Sequence, residues 1–144
     1  MKNKSLVIIC GDPKSTFNEI LIKTLKKEIS KKMEFPIVII GSRKIFENEL
    51  KKFKTKMNLQ KFNNQALLQK NDLYFFDVPL NQRKLSLVEK NRYITKSFEI
   101  GLNLLKKNNS FALINGPISK TNFLKGNYSG ITEYLAFKTR SLNE

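Results

Sequence analysis

The chain has 144 residues, of which 40% are apolar and 10% aromatic, and carries a formal net charge of +15. That composition excludes a disordered chain, and the length suits one domain, spanning residues 1–144, better than two. No apolar run approaches the roughly 20 residues of a membrane span, and the opening MKNKSLVIIC runs into GDPKST instead of the longer apolar region and cleavage site of a secretory signal, so a cytoplasmic protein is expected.

The charge invites a nucleic-acid reading. However, 23 of the 27 cations are lysines, and the only arginines are Arg43, Arg83, Arg92 and Arg140. Base reading leans on arginine forks, and the lysines are spread along the whole chain. The charge therefore reads as solvated helix faces, with no specific nucleic-acid or membrane partner. The single cysteine, Cys10, sits in an apolar run and reads as a buried, inert thiol.

In chain order, residues 6–10 form a continuous apolar run, as expected of a strand covered on both faces. A helix follows over about 16–32, with Phe17, Ile20, Leu21, Leu25 and Ile29 on one face. Thr16 and Glu19 have the spacing of a capping box at its start. Residues 36–40 read as a second buried strand closed by Gly41, and residues 43–56 as a charged helix. Residues 57–71 carry no clear period, and Asn63-Asn64 suggests a loop. Residues 73–78 form a third strand. Ser86 and Glu89 repeat the capping-box spacing and open a long helix whose face carries Leu87, Asn91, Ile94, Phe98, Leu102 and Leu105. Residues 111–114 form a fourth strand. Alternating strands and helices predict an α/β domain with a parallel-rich sheet and flanking helices.

In such sheets, ligands bind beyond the carboxyl ends of the strands. Two loops of unusual composition are expected there, CGDPKSTFNE after the first strand and NGPISK after the fourth. Gly11 and Gly116 permit backbone geometry or close approach that a side chain would block, and Pro13 and Pro117 stiffen the turns. Asp12 and Lys120 place one charge of each sign at the strand ends. Gly-Pro and Asp-Pro are also ordinary turn chemistry, so both readings stay open at this point.

ALINGPISK followed by GNYSGITEYLA resembles the segment ALxTGPxxK…GHTE(F/Y)LA of the 4-hydroxythreonine-4-phosphate dehydrogenase family of vitamin B6 synthesis. VIICGDPKSTFNEI is similar to that family's opening GDPxGIGPE loop, and EKNRYITKSFEIGLNLL to the helix that precedes the Gly-Pro turn. The resemblance implies a fold like part of the isocitrate and isopropylmalate dehydrogenases. It also implies NAD-dependent oxidation of a phosphorylated hydroxy amino acid with loss of carbon dioxide. A divalent metal (zinc, magnesium or cobalt) would act as Lewis acid on the developing ketone, and the site would lie between two domains of a homodimer. In the family the His-Thr of GHTE binds substrate; the threonine corresponds to Thr132, with Glu133 beside it.

The departures are specific. Ile131 stands where the family has histidine, and Ser15, Thr16, Phe17 and Asn18 replace Gly-Ile-Gly-Pro. An isoleucine cannot donate the hydrogen bond of an imidazole. The chain has no histidine at all, whereas the family's metal ligands are histidines beyond the matching part. The expectation is therefore the N-terminal part of such an enzyme (a fragment, a truncated frame or a relic), inactive alone and holding no metal. The alternative is a non-catalytic α/β domain with a weak anion site. Thr132, Lys120 and Asp12 are the candidate substrate-binding residues. Thr132 also suits a cap for a helix starting at Glu133. Asp12 also suits a turn, and Glu19 a cap partner rather than a cofactor contact. Asn91 suits either a packing residue or a buried polar group near the site, and Tyr128 and Tyr134 suit core or interface.

Overall fold

The structure is a computed structural model describing residues 3–63, 68–107 and 109–141. Five strands, β1 (Ser5–Ile9), β2 (Ile37–Gly41), β3 (Leu59–Lys61), β4 (Leu73–Asp77) and β5 (Ser110–Asn115), form one sheet in the order β3-β4-β2-β1-β5. Every neighbouring pair is parallel. The helices are α1 (Phe17–Ile29), α2 (Arg43–Lys52), α3 (Leu87–Lys106) and α4 (Ile131–Ser141), with a short 3-10 turn at Gln82–Lys84 and a wide π turn at Lys120–Leu124.

β1 and β2 read as unbroken apolar runs because both of their faces are covered. Alternate side chains go to opposite layers. Val7, Ile9, Val38 and Ile40 join a core with Tyr93, Ile94 and Phe98 of α3 and Tyr134 of α4. Ile8, Ile37 and Ile39 join a second core with Leu21, Ile22 and Leu25 of α1 and Phe46 and Leu50 of α2. At the foot of the sheet, the buried hydroxyls of Ser5 and Ser110 lie 2.9 Å apart. One residue later the β1–β5 register shifts, so that Leu6 faces Ala112 and Phe111 is the extra residue. Phe111 is exposed on this outer strand, against the edge of Phe35.

Several sequence expectations are corrected. No side-chain hydrogen bond caps α1 at Thr16; Glu19 instead accepts from Lys23 at 2.7 Å, one turn along. That exposed pair lowers the Glu19 pKa, chiefly through the hydrogen bond from Lys23. α1 ends at Ile29 and α2 at Lys52, each with basic residues in its last turn. β3 was not expected; its three residues offer too short a pattern to register as a strand, and pairing with β4 creates it. Asn63 lies in the loop that the sequence suggested, while Asn64 falls outside the described residues. Leu87 is exposed, and the buried face of α3 runs through Tyr93, Ile94, Ser97, Phe98, Gly101, Leu102 and Leu104. Ser86 caps α3 as expected, accepting from the Glu89 N–H at 3.1 Å.

Cys10 is buried, and burial pushes its thiol from 9.0 up to about 12. Burial also raises the Tyr93 phenol, whose oxygen accepts from the Ser42 N–H at 2.8 Å. Above the ordinary thiol range the unfolded chain releases the Cys10 proton and the folded chain keeps it. The folded state then binds more protons, so stability falls as pH rises. The urea midpoint is expected to decline between about pH 9 and 12, more steeply than in Cys10→Ala; parallel pH profiles for the two proteins would contradict this.

Candidate functional site

The chain leaves β1 toward α1 and β2 on one side, while β5 joins β1 from the other side. Between β1 and β5 the strand order reverses, and such switch points open a crevice at the carboxyl ends of the strands. The two loops singled out in the sequence meet there. The Gly116 N–H donates to the Ile9 carbonyl at 2.7 Å, and the Asp12 N–H donates to the Pro117 carbonyl at 2.8 Å. The approach depends on glycine at both positions. Gly11 has φ +75°, and a Cβ on it would lie 2.6 Å from the Pro117 oxygen. A Cβ on Gly116 would overlap the Cys10 carbonyl and crowd the Phe17 ring. Glycines at 11 and 116 are what the sequence must supply for the two backbones to touch.

Asp12 is fully engaged. Its Oδ1 accepts from the Lys14 N–H at 2.9 Å, closing a turn of the kind expected. Its Oδ2 accepts from Lys90 Nζ at 3.3 Å, with the two side chains only 19% and 16% exposed. Lys90 projects from the first turns of α3, so this ion pair ties the β1 loop to the helix leading into β5. Nothing in the sequence singled out Lys90; it is one lysine among 23, and only the packing of α3 brings it to Asp12. With both groups mostly out of water, the pair lies between the exposed and buried extremes. Lys90→Met is expected to cost about 1–2 kcal/mol, measured by urea unfolding; a change too small to measure would mean that the pair adds nothing to loop placement.

Lys120 opens the π turn and is exposed. The Ser119 hydroxyl accepts from the Asn122 N–H at 3.0 Å, and Asn91 Nδ2 donates to the Asn122 carbonyl at 3.0 Å, so Asn91 ties α3 to this turn. Asn91 Oδ1 is buried without a partner among the described residues.

Thr132 lies in the first turn of α4 and is exposed. It is not the helix cap, because α4 begins at Ile131. Glu133 Oε2 accepts from the Ser129 N–H at 2.6 Å and from the Ser129 hydroxyl at 2.7 Å, which holds the exposed Glu133 carboxyl below its usual range. α4 packs on the π turn through Tyr134 against Phe123, with ring centroids 5.3 Å apart, and Tyr128 packs on Tyr134 at 5.4 Å. Both tyrosines belong to the core side, with Tyr134 buried. The structure thus brings Asp12 to the 116–120 loop, whereas among the described residues no hydrogen bond or ion pair joins Thr132 to either loop. Ile131 is half-buried against the α3-side core, where its apolar side chain fits.

A sequence profile of the family described as "Pyridoxal phosphate biosynthetic protein PdxA" matches residues 32–143. The chain belongs to the PdxA family. A comparison with curated protein sequences finds no match. Among solved structures, a 4-hydroxythreonine-4-phosphate dehydrogenase from Klebsiella pneumoniae superposes with a TM-score of 0.77 at 20% identity, covering 96% of this chain and 44% of that one. The enzyme of the same name from Burkholderia phymatum gives a TM-score of 0.72 at 19% identity, covering 94% of this chain and 43% of that one. At these identities the likeness establishes the fold, and the parallel α/β architecture expected from the sequence is the one observed. This PdxA-family chain spans less than half the length of either solved structure.

The residues of this PdxA-family chain do not fit the metal that the resemblance implies. The sequence has no histidine, and among the described residues no three His, Cys, Asp or Glu side chains come together in a way that could hold an ion.

Proposed function

We propose that this chain forms one wall of the substrate pocket of a 4-hydroxythreonine-4-phosphate dehydrogenase, and that it does not turn over substrate alone. The observation that carries the reading is the pair of glycine loops joined backbone to backbone at the sheet's switch point, in a chain of the PdxA family. The proposed substrate is a phosphorylated hydroxy amino acid. Lys120 offers an ammonium to its phosphate or carboxylate oxygens and Thr132 a hydroxyl. Asp12 acts through Lys90, fixing the β1 loop against α3. NAD, when bound, accepts the hydride released from the substrate carbon. A homodimer in the cytoplasm completes the proposal.

A second reading, a non-catalytic α/β domain with a weak anion site, draws on Ile131 at the position of the family's histidine and on the lack of a metal-ligand set among the described residues. Both readings are tested with the purified chain, 4-phosphohydroxy-L-threonine, NAD and added zinc, magnesium or cobalt. No NADH above the buffer control is expected, and measurable metal-dependent turnover would overturn the claim of inactivity. Substrate at millimolar concentration is expected to shift the amide resonances of residues 116–120 and 131–133. Unmoved resonances there would remove the pocket wall.

A further inference from the structure

β5 is an outer strand of the sheet, and among the described residues no strand pairs with its far edge. Past the irregularity at Phe111, residues 112–115 run in regular register with β1. Successive backbone groups of a strand point to opposite sides. The Gly116 N–H reaches β1, so the N–H and C=O of Leu113 and Asn115 point outward. Natural sheets guard such edges with lysine, proline or short strands. The other edge strand, β3, has three residues and ends on Lys61. β5 has six, SFALIN, with no charge and no proline.

The sheet face beside this edge is apolar and open. Ala112 and Ile114 register with Leu6 and Ile8, whose side chains lie on the α1 side, so they share that face. A groove of about 270 Å³ runs between α1 and β5, with Leu6, Ile8, Phe17, Ile20, Phe35 and Ile114 in its lining. Ile20, Phe111 and Ile114 are three of the six exposed large hydrophobic residues among those described. Half of the exposed apolar side chains therefore gather on one strip. In a chain with 27 cations, no lysine or arginine lines this groove, and its one acid, Glu28, is paired with Lys31. A second copy of charge +15 can thus approach here with no cation in the contact. The strand also suits itself as partner. About a two-fold axis at Leu113, the two Leu113 residues exchange both backbone hydrogen bonds, and each Ala112 lies opposite the partner's Ile114, small against large on the groove face.

We propose that the β5 edge binds a second copy of this chain, the two β5 strands pairing antiparallel about Leu113 and the two grooves merging into one apolar floor between the α1 helices. The proposal goes beyond the pocket reading and uses neither Lys120 nor Thr132, so the failure of either leaves the other standing. The test is sedimentation equilibrium of the full chain between about 1 µM and 1 mM at about 0.15 M salt. A closed dimer is expected, with a Kd on the order of 100 µM, as suits a small edge contact. Raising the salt to about 0.5 M is expected to strengthen it, because salt screens the repulsion between the two chains and the contact holds no ion pair. Ile114→Lys is expected to weaken the dimer at least about tenfold by placing a guard charge on the edge. Val88→Lys, at an exposed position on α3 away from the strip, is expected to leave it unchanged. Should Ile114→Lys fail to fold, Ile20→Lys, exposed on the α1 rim of the groove, makes the same comparison. Amide exchange at Leu113 and Asn115 is expected to slow several-fold as the dimer fills, which apolar contact without strand pairing would not produce. A monomer throughout the range, open-ended assembly, a dimer weakened by salt or equally by Val88→Lys, or exchange at Leu113 and Asn115 that ignores concentration would each overturn the proposal.

Discussion

Gly116→Ala is expected to lower the unfolding free energy by about 3 kcal/mol, the upper part of the range for overpacking. The added methyl would meet backbone rather than a side chain that can swing away: the Cys10 carbonyl on one side, with the Phe17 ring on the other. Relief would require parting the β1 and β5 loops, with loss of the Gly116–Ile9 and Asp12–Pro117 hydrogen bonds. Gly126→Ala is the control. Gly126 has φ +73°, and a methyl added there would meet nothing within 4 Å, so only the left-handed backbone penalty of about 1–2 kcal/mol applies. Urea unfolding with unchanged denaturant slope checks both. If Gly116→Ala were no worse than Gly126→Ala, the loops would not be packed as described.

Phe98→Ala is expected to cost about 3–5 kcal/mol, as large aromatic deletions in cores do. The Phe98 ring is fully buried on α3. It contacts the rings of Phe123 in the π turn (6.3 Å) and Tyr134 in α4 (5.7 Å). One ring therefore supports both segments that carry Lys120 and Thr132. Against a total stability of about 5–15 kcal/mol for a domain, the variant is expected to unfold at distinctly lower urea and to broaden the amide signals of residues 120–134 first. A cost below about 1 kcal/mol would mean that α4 is not anchored through this cluster.

The strands were legible because burial on both faces leaves an unbroken apolar run, as in β1 and β2. α3 was legible in extent, since Ser86 announces it, but its buried face was misplaced at the start. Leu87 looks like a core position by type, yet it lies in the first turn before the helix reaches the sheet. β3 was invisible because three residues carry no period. Of the site, the glycines could be read from composition, since only their chemistry permits the contact. The Lys90–Asp12 pair spans 78 positions in sequence, and no local pattern encodes such a pairing among so many lysines. Thr132 was misread as a cap because α4 begins at Ile131, one residue before it and two before the expected start at Glu133; helix boundaries shift by a residue or two, and local spacing does not fix them.

The proposed anion-binding wall, formed by the 116–120 loop set against the β1 loop, is probed by titrating the chain with a small phosphate monoester at about 0.15 M salt, comparing wild type, Lys120→Ala and Lys27→Ala by amide chemical shifts. Without the imidazole that Ile131 replaces, wild-type affinity is expected near millimolar, equivalent to about 4 kcal/mol, with shifts centred on residues 116–120 and 131–133. Lys120→Ala is expected to abolish the saturable shifts, and Lys27→Ala to leave them intact. Equal losses in the two variants would reduce the interaction to diffuse attraction by a chain of charge +15 and would contradict the pocket.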